Sequence, residues 1–159
     1  MKLTRDPIRN TPTRRSALST AGFGIGALAA LPGHANAAEM TAAEKANVQV
    51  VNDFCAAWPA HNLDRIMAFF AADCAYRVNE TQEPYKGRQA VTDRIQSFLG
   101  RVQKFDVMET FAKGPMVFNE RKDSFTSGPL KMWHGVGVFF LKDGEIVEWY
   151  DYTISRDLA

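Results

Sequence analysis

The chain has 159 residues, 46 % of them hydrophobic and 23 % charged, with a formal net charge of +1. That length and balance fit a single globular domain with one modest core. Charge is uneven: residues 1–37 hold Lys2, Arg5, Arg9, Arg14 and Arg15 against Asp6 alone, a net of +4 that leaves −3 for the rest. A net-acidic remainder argues against a nucleic-acid-binding surface.

The first 37 residues read as an export signal rather than as structure. A basic stretch ends in Thr13-Arg14-Arg15-Ser16-Ala17-Leu18, and an apolar, Gly/Ala-rich segment runs from Ala17 to Leu31. Pro32, Gly33 and the small-residue site Ala35-Asn36-Ala37 follow. Paired arginines before a mildly apolar segment resemble a twin-arginine signal. The apolar segment is shorter than the roughly 20 residues a membrane span needs. Cleavage near Ala37 would leave a periplasmic or secreted domain over residues 41–159. A disulfide is permitted in such a compartment, but Cys55 and Cys74 sit among apolar neighbours and read as small buried hydrophobes. No Cys/His spacing suggests a metal site.

Thr41 and Glu44 have capping-box spacing, and Val48, Val51, Phe54, Cys55 and Trp58 then recur at helical intervals, predicting a helix over 42–58 that Pro59 stops. Asn62 caps a second, short helix through Phe70. Cys74 to Asn79 reads as a strand, Glu80 to Lys86 as a loop, and Gln89 to Leu99 as a third helix preceded by Gly87-Arg88. From Val102 the period changes to two, giving strands over Val102–Ala112, Met116–Phe125, Leu130–Leu141 and Glu145–Ile154, with Ser155–Ala159 as a tail. Lys142-Asp143-Gly144 is a hairpin signal. Helices grouped ahead of consecutive antiparallel strands predict an α+β domain whose curved, mostly antiparallel sheet wraps against three N-terminal helices.

Side chains alternate faces along a strand. In Met116–Phe125 one face therefore carries Val117, Asn119, Arg121, Asp123 and Phe125, an Arg and an Asp between apolar residues. In the last strand Val147, Trp149, Asp151 and Thr153 share a face, so a second carboxylate sits beside a Trp. Arg121, two strands away, is the cation that would offset the lost hydration of Asp151. Two carboxylates sharing one guanidinium suit a division of labour, one ionised as base and one protonated as acid. Adding water across a strained electrophile needs both at once. A structural ion-pair network across neighbouring strands is the bland alternative. Tyr76 and Asn79 could hold a water by a phenol and an amide. His134, on a strand face with Met132, Val136, Val138 and Phe140, could line the pocket but reads rather as a core or rim residue.

Glu120-Arg121-Lys122-Asp123 and Gly144-Glu145-Ile146-Val147-Glu148-Trp149-Tyr150-Asp151-Tyr152 resemble the two signature segments of limonene-1,2-epoxide hydrolases, and the similarity extends over most of residues 41–155. The resemblance implies an NTF2-like cone, a SnoaL-like domain acting as a homodimer. It implies one-step hydrolysis of a small apolar epoxide to a vicinal diol, with no covalent intermediate, no metal and no cofactor. Asp151 would activate water, Asp123 would protonate the epoxide oxygen, and Arg121 would bridge them. Tyr76 and Asn79 would match the family's water-holding tyrosine and asparagine. That family pair is separated by one residue, whereas Arg77 and Val78 both intervene here. A bulge would reunite Tyr76 and Asn79 on one face. Without one Asn79 serves alone, and gapless alignment back from Gly87 favours Asn79 and puts Arg77 in the tyrosine's place. Trp149, Phe139, Phe125 and Val147 are the expected substrate-pocket residues. Two other activities fit the same fold: an isomerase or cyclase, and a non-catalytic periplasmic domain holding an apolar ligand.

Overall fold

The computed structural model describes residues 39–158. The export signal expected over residues 1–37 lies outside them. Helix α1 spans Ala42–Ala57, and its start is the expected capping box: the Glu44 amide donates to Thr41 Oγ1 at 3.2 Å, and the Thr41 amide to Glu44 Oε2 at 2.8 Å. Glu44 Oε1 also accepts from the Gly114 amide at 2.7 Å, which ties the helix start to the turn between β3 (Val102–Lys113) and β4 (Met116–Phe125). At Pro59 the helix tightens into a 3₁₀ turn over Trp58–Ala60, and His61 takes the left-handed conformation that ends it.

Asn62 caps α2 (Leu63–Met67), accepting from the Arg65 amide at 2.9 Å. This helix is shorter than the periodicity predicts, because Phe70 already belongs to strand β1 (Phe70–Arg77). The cause is non-local: Phe70 pairs in parallel with Ile146 of β6 (Glu145–Leu158) and is buried there. The strand also ends at Arg77, so Val78 and Asn79 fall beyond it. Within the expected loop, Tyr85–Lys86 forms a two-residue strand, β2, on the edge of β1. Gly87 then turns with φ +83° into α3 (Arg88–Leu99). Arg88 donates from Nη1 to the Phe70 carbonyl at 2.6 Å and from Nη2 to the Met67 carbonyl at 2.8 Å, tying the last carbonyl of α2 to the start of β1.

Strand β5 (Leu130–Lys142) completes a six-stranded mixed sheet ordered β2-β1-β6-β5-β4-β3, in which only β1 and β6 run parallel. The architecture is the expected α+β one, helices against a curved sheet. The Ser155–Ala159 tail is a correction: β6 continues through Leu158, paired with the start of β5. A second correction concerns the face assigned to Val147. Phe140 pairs with Glu148 and Leu141 with Ile146, so Val147 is an unopposed bulge residue. Ile146 and Trp149, three apart, are therefore both buried, and Val147 is left half-buried outside that face.

The core fills the space between the helices and one face of the sheet. Phe54 of α1 stands edge-on to Trp58, Phe70, Phe139 and Trp149, with ring centroids 5.2 to 5.8 Å apart. Cys55 and Cys74 are buried and unbonded to each other. Among the described residues no helix is long and apolar enough to cross a membrane.

Candidate active site

Strand alternation places Val117, Asn119, Arg121 and Asp123 of β4 on the helix-covered face, and all four are buried. Asp151 and Trp149 come to the same face from β6, and Tyr76 from β1. Strand β5 lies between Arg121 and Asp151, and its residues there are Gly135 and Gly137: Arg121 pairs with Gly135, and Gly137 pairs with Asp151. A Cβ on Gly137 would collide with Arg121 Nη1. The missing side chain is the gap through which the guanidinium reaches across β5. Glycine inside a strand is the sequence signal for such a close approach, and it was not part of the expected site.

Arg121 is fully buried and holds both carboxylates. Its Nη2 donates to Asp151 Oδ1 at 2.9 Å, and its Nε lies 3.0 Å from Asp123 Oδ1. The second contact is an ion pair without hydrogen-bond alignment, since neither atom has a well-directed partner. The guanidinium carbon lies 4.9 Å from the ring centres of Phe105 and Trp133 and 5.4 Å from that of Trp149, a cation held among aromatic faces.

The two carboxylates are not equivalent. Asp151 accepts from Arg121, from Trp149 Nε1 at 2.7 Å and from the Tyr76 hydroxyl at 3.3 Å. Asp123 has only the misaligned guanidinium contact. Burial pushes the Asp123 carboxyl up to about 7 despite Arg121, and the nearby Asp151 charge adds to the rise. Burial also raises Asp151, opposed by Arg121 and by the donors from Trp149 and Tyr76. Burial alone would lower the Arg121 pKa, but the two carboxylates outweigh it and hold the guanidinium charged. One proton shared by the pair gives a neutral cluster, the form a dry site tolerates. The directed donors on Asp151 favour leaving that proton on Asp123.

The cluster floors a cavity of about 100 Å³. Tyr76, Asp123 and Asp151 are its polar groups; Val78, Phe98, Phe105, Phe125, Leu130, Trp133 and Trp149 form apolar walls; Arg94 and Arg101 complete the lining. Of the expected pocket residues, Trp149 and Phe125 line it. Phe139 does not: it is wholly buried in the core behind Trp149, its ring stacked 5.6 Å away. Val147 is excluded by the bulge. Asn79 is also outside the cluster, its Oδ1 accepting from the Thr81 amide at 3.0 Å and hydroxyl at 2.7 Å. Tyr76 and Asn79 are not brought together, and it is Tyr76 that meets Asp151. Its ring stacks on Trp149 at 3.9 Å.

His134 lies on the outer face, 2.8 Å from Glu120. Arg77 is there too, its guanidinium 4.9 Å from the ring centres of Tyr150 and Tyr152. Cys55 donates its thiol to Asn119 Oδ1 at 3.6 Å, and burial pushes that thiol's pKa up to about 12, so it is no nucleophile. Among the described residues no group of three His, Cys, Asp or Glu is placed to hold a metal ion.

Helices packed on a curved mixed sheet, with a pocket closing on its inner face, define an NTF2-like domain. The chain belongs to the SnoaL-like domain family, whose model matches residues 51–149. Among solved structures it is similar to an LEH-like epoxide hydrolase from M. tuberculosis, with 26 % identity, a TM-score of 0.62, and 70 % of this chain and 84 % of that one covered. A candidate polyketide cyclase from Xanthomonas campestris pv. campestris shares the fold at 19 % identity and TM-score 0.58, covering 69 % of this chain and 90 % of that one. So does a candidate ketosteroid isomerase from Kribbella flavida, at 18 % identity and TM-score 0.58, covering 70 % and 80 %.

Proposed function

We propose that this protein is an epoxide hydrolase that adds water to an epoxide in one step. The observation that carries the reading is the buried Asp123–Arg121–Asp151 cluster on the floor of an aromatic pocket. Asp151, held by three donors, is the base. It removes a proton from water as the water oxygen attacks one epoxide carbon. Asp123, the poorly solvated acid, gives its proton to the epoxide oxygen as the C–O bond breaks. Both product oxygens are then hydroxyls. The proton now on Asp151 returns through solvent to Asp123 for the next turnover.

One carboxyl gains a proton as the other loses one, so the cluster stays neutral throughout. Arg121 is central to that: its own side chain is fully buried, and from there it stabilises whichever carboxylate is ionised. The Tyr76 hydroxyl, already on Asp151, is the side chain placed to orient the attacking water. The likeness to an LEH-like epoxide hydrolase supports the same reading. We further propose that the domain is exported and acts outside the cytoplasm, which sequencing the N-terminus of the mature protein would test.

The test is incubation with cyclohexene oxide and limonene oxide in ¹⁸O-labelled water. Singly labelled diol is expected, and Asp151→Asn and Asp123→Asn should each lower its rate by roughly 10²–10⁴-fold while the fold is kept. Near-normal turnover by Asp151→Asn would sink the mechanism. An epoxide panel left intact by the wild-type protein would reject the hydrolase reading itself.

A further inference from the structure

Two cations in the pocket have no part in that chemistry. Arg94, on α3, and Arg101, just after it, both line the cavity and are half-buried. Among the described residues neither has a carboxylate within ion-pair distance. Arg94 is held in place: its Nη1 donates to Ser97 Oγ at 2.9 Å, and its guanidinium carbon stands 4.9 Å from the Phe98 ring centre and 5.9 Å from that of Tyr85. Its Nε is buried without a partner. Arg101 is fixed from the other side. Its amide donates to the Phe98 carbonyl at 2.9 Å, and its carbonyl accepts from the Thr126 amide at 2.8 Å. A Cβ on Gly128, which sits at φ +88°, would lie 2.6 Å from Arg101 Nη1. The turn after β4 thus leaves room for the guanidinium.

A pocket meant for a wholly apolar guest has no use for two unneutralised guanidiniums, because a ligand covering them removes their water and returns nothing. A guest with an anionic end changes that balance, since the planar fork of a guanidinium matches a carboxylate. We propose that the substrate is an apolar epoxide bearing a carboxylate, with the oxirane at Asp151 and Asp123, the hydrocarbon against Phe105, Phe125, Leu130 and Trp133, and the acid end on Arg94 and Arg101. This rests on the hydrolase reading above.

The probes are 10,11-epoxyundecanoic acid and its methyl ester, with undecanoic acid and 1-undecanol as unreactive counterparts. The acid should be hydrolysed with a kcat/KM at least about tenfold above that of the ester, chiefly through KM, and added salt should shrink the gap. Arg94→Gln with Arg101→Gln should erase the preference, and the double Lys variant should restore part of it. An ester turned over as well as the acid, or a preference that survives the Gln double variant, overturns the proposal. Binding of undecanoic acid against 1-undecanol, followed by quenching of tryptophan fluorescence, decides the anion site separately. If neither epoxide is opened, the hydrolase reading fails, yet tighter binding of the acid that is lost in the Gln variant would still support the cationic site. Equal binding of acid and alcohol would reject that site.

Discussion

Strand β4 carries charge on both of its faces, and the two faces behave as different materials. Toward the helices, Arg121 and Asp123 are almost wholly sealed from water and joined by Asp151, with aromatic rings around them. Toward the outside, one residue along, Glu120 Oε1 lies 2.8 Å from His134 Nε2, but its side chain is 36 % exposed. Each face sets a carboxylate against a side-chain nitrogen, but the dielectric around the two differs. Outside, water screens the pair, and its making or breaking changes little. Inside, each charge depends on the others, protonation becomes a joint decision of the cluster, and an acid can keep a proton near neutral pH. Function is expected on the face where charge is costly.

The largest effect should come from removing the shared cation. Arg121→Met leaves two carboxyls in a buried site with no cation to offset their charge, and a loss of about 3–5 kcal/mol in stability is expected, measurable by urea unfolding at pH 8. Adding Asp123→Asn and Asp151→Asn to that variant should return much of the loss, because no charge then remains to be buried. A loss under about 1 kcal/mol for Arg121→Met alone, the size of a surface pair, would mean that bulk solvent screens the cluster as it does a surface pair and that the contrast between the faces is false.

That contrast was partly legible in the sequence. Alternation along Met116–Phe125 is enough to put Arg121 and Asp123 on one face, and the Trp149-x-Asp151 spacing brings the second carboxylate. Local rules also carried the Thr41–Glu44 cap and the Asp143-Gly144 turn, both of whose residues adopt positive φ. What local rules could not carry was set by partners distant in the chain. The parallel pairing of Phe70 with Ile146 moved the start of β1 and shortened α2. The bulge opposite Phe140 and Leu141 put Val147 out of phase with Trp149. Choosing between Tyr76 and Asn79 depended on where β1 ends, which pairing with β6 determines. The gap at Gly137 becomes visible only once Arg121 is seen lying across it.

A titration sharpens the comparison. A surface aspartate paired with a cation is held below its ordinary pKa and loses stability as acid is added. Asp123 should do the reverse. Above the ordinary value of 3.8 the unfolded chain ionises this carboxyl, while the native protein keeps the proton up to about 7. The native state then binds more protons than the unfolded state, so the contribution of Asp123 to stability falls as pH rises across that window. Asp123→Asn should flatten that part of the stability profile. In the wild type, kcat/KM should fall above about pH 7 by about tenfold per unit, as the acid loses its proton. A high-pH limb that stays put in an Asp123→Glu variant with altered carboxyl placement would assign it to another group.

The smallest effect belongs to the outer face, and its smallness is the point. Glu120→Gln removes the partner of His134 while leaving the strand, its pairing with Val136 and the inner face of β4 intact. The expected change in unfolding free energy is no more than about 1 kcal/mol, and 0.5 M salt should erase most of it, since the Debye length is then shorter than about 5 Å. Epoxide turnover should be unaffected. The same salt should leave the Arg121→Met penalty nearly unchanged, because ions do not enter the buried site. A Glu120→Gln variant that loses activity, or a salt response shared by both faces, would show that the sheet transmits charge from one side to the other rather than separating them.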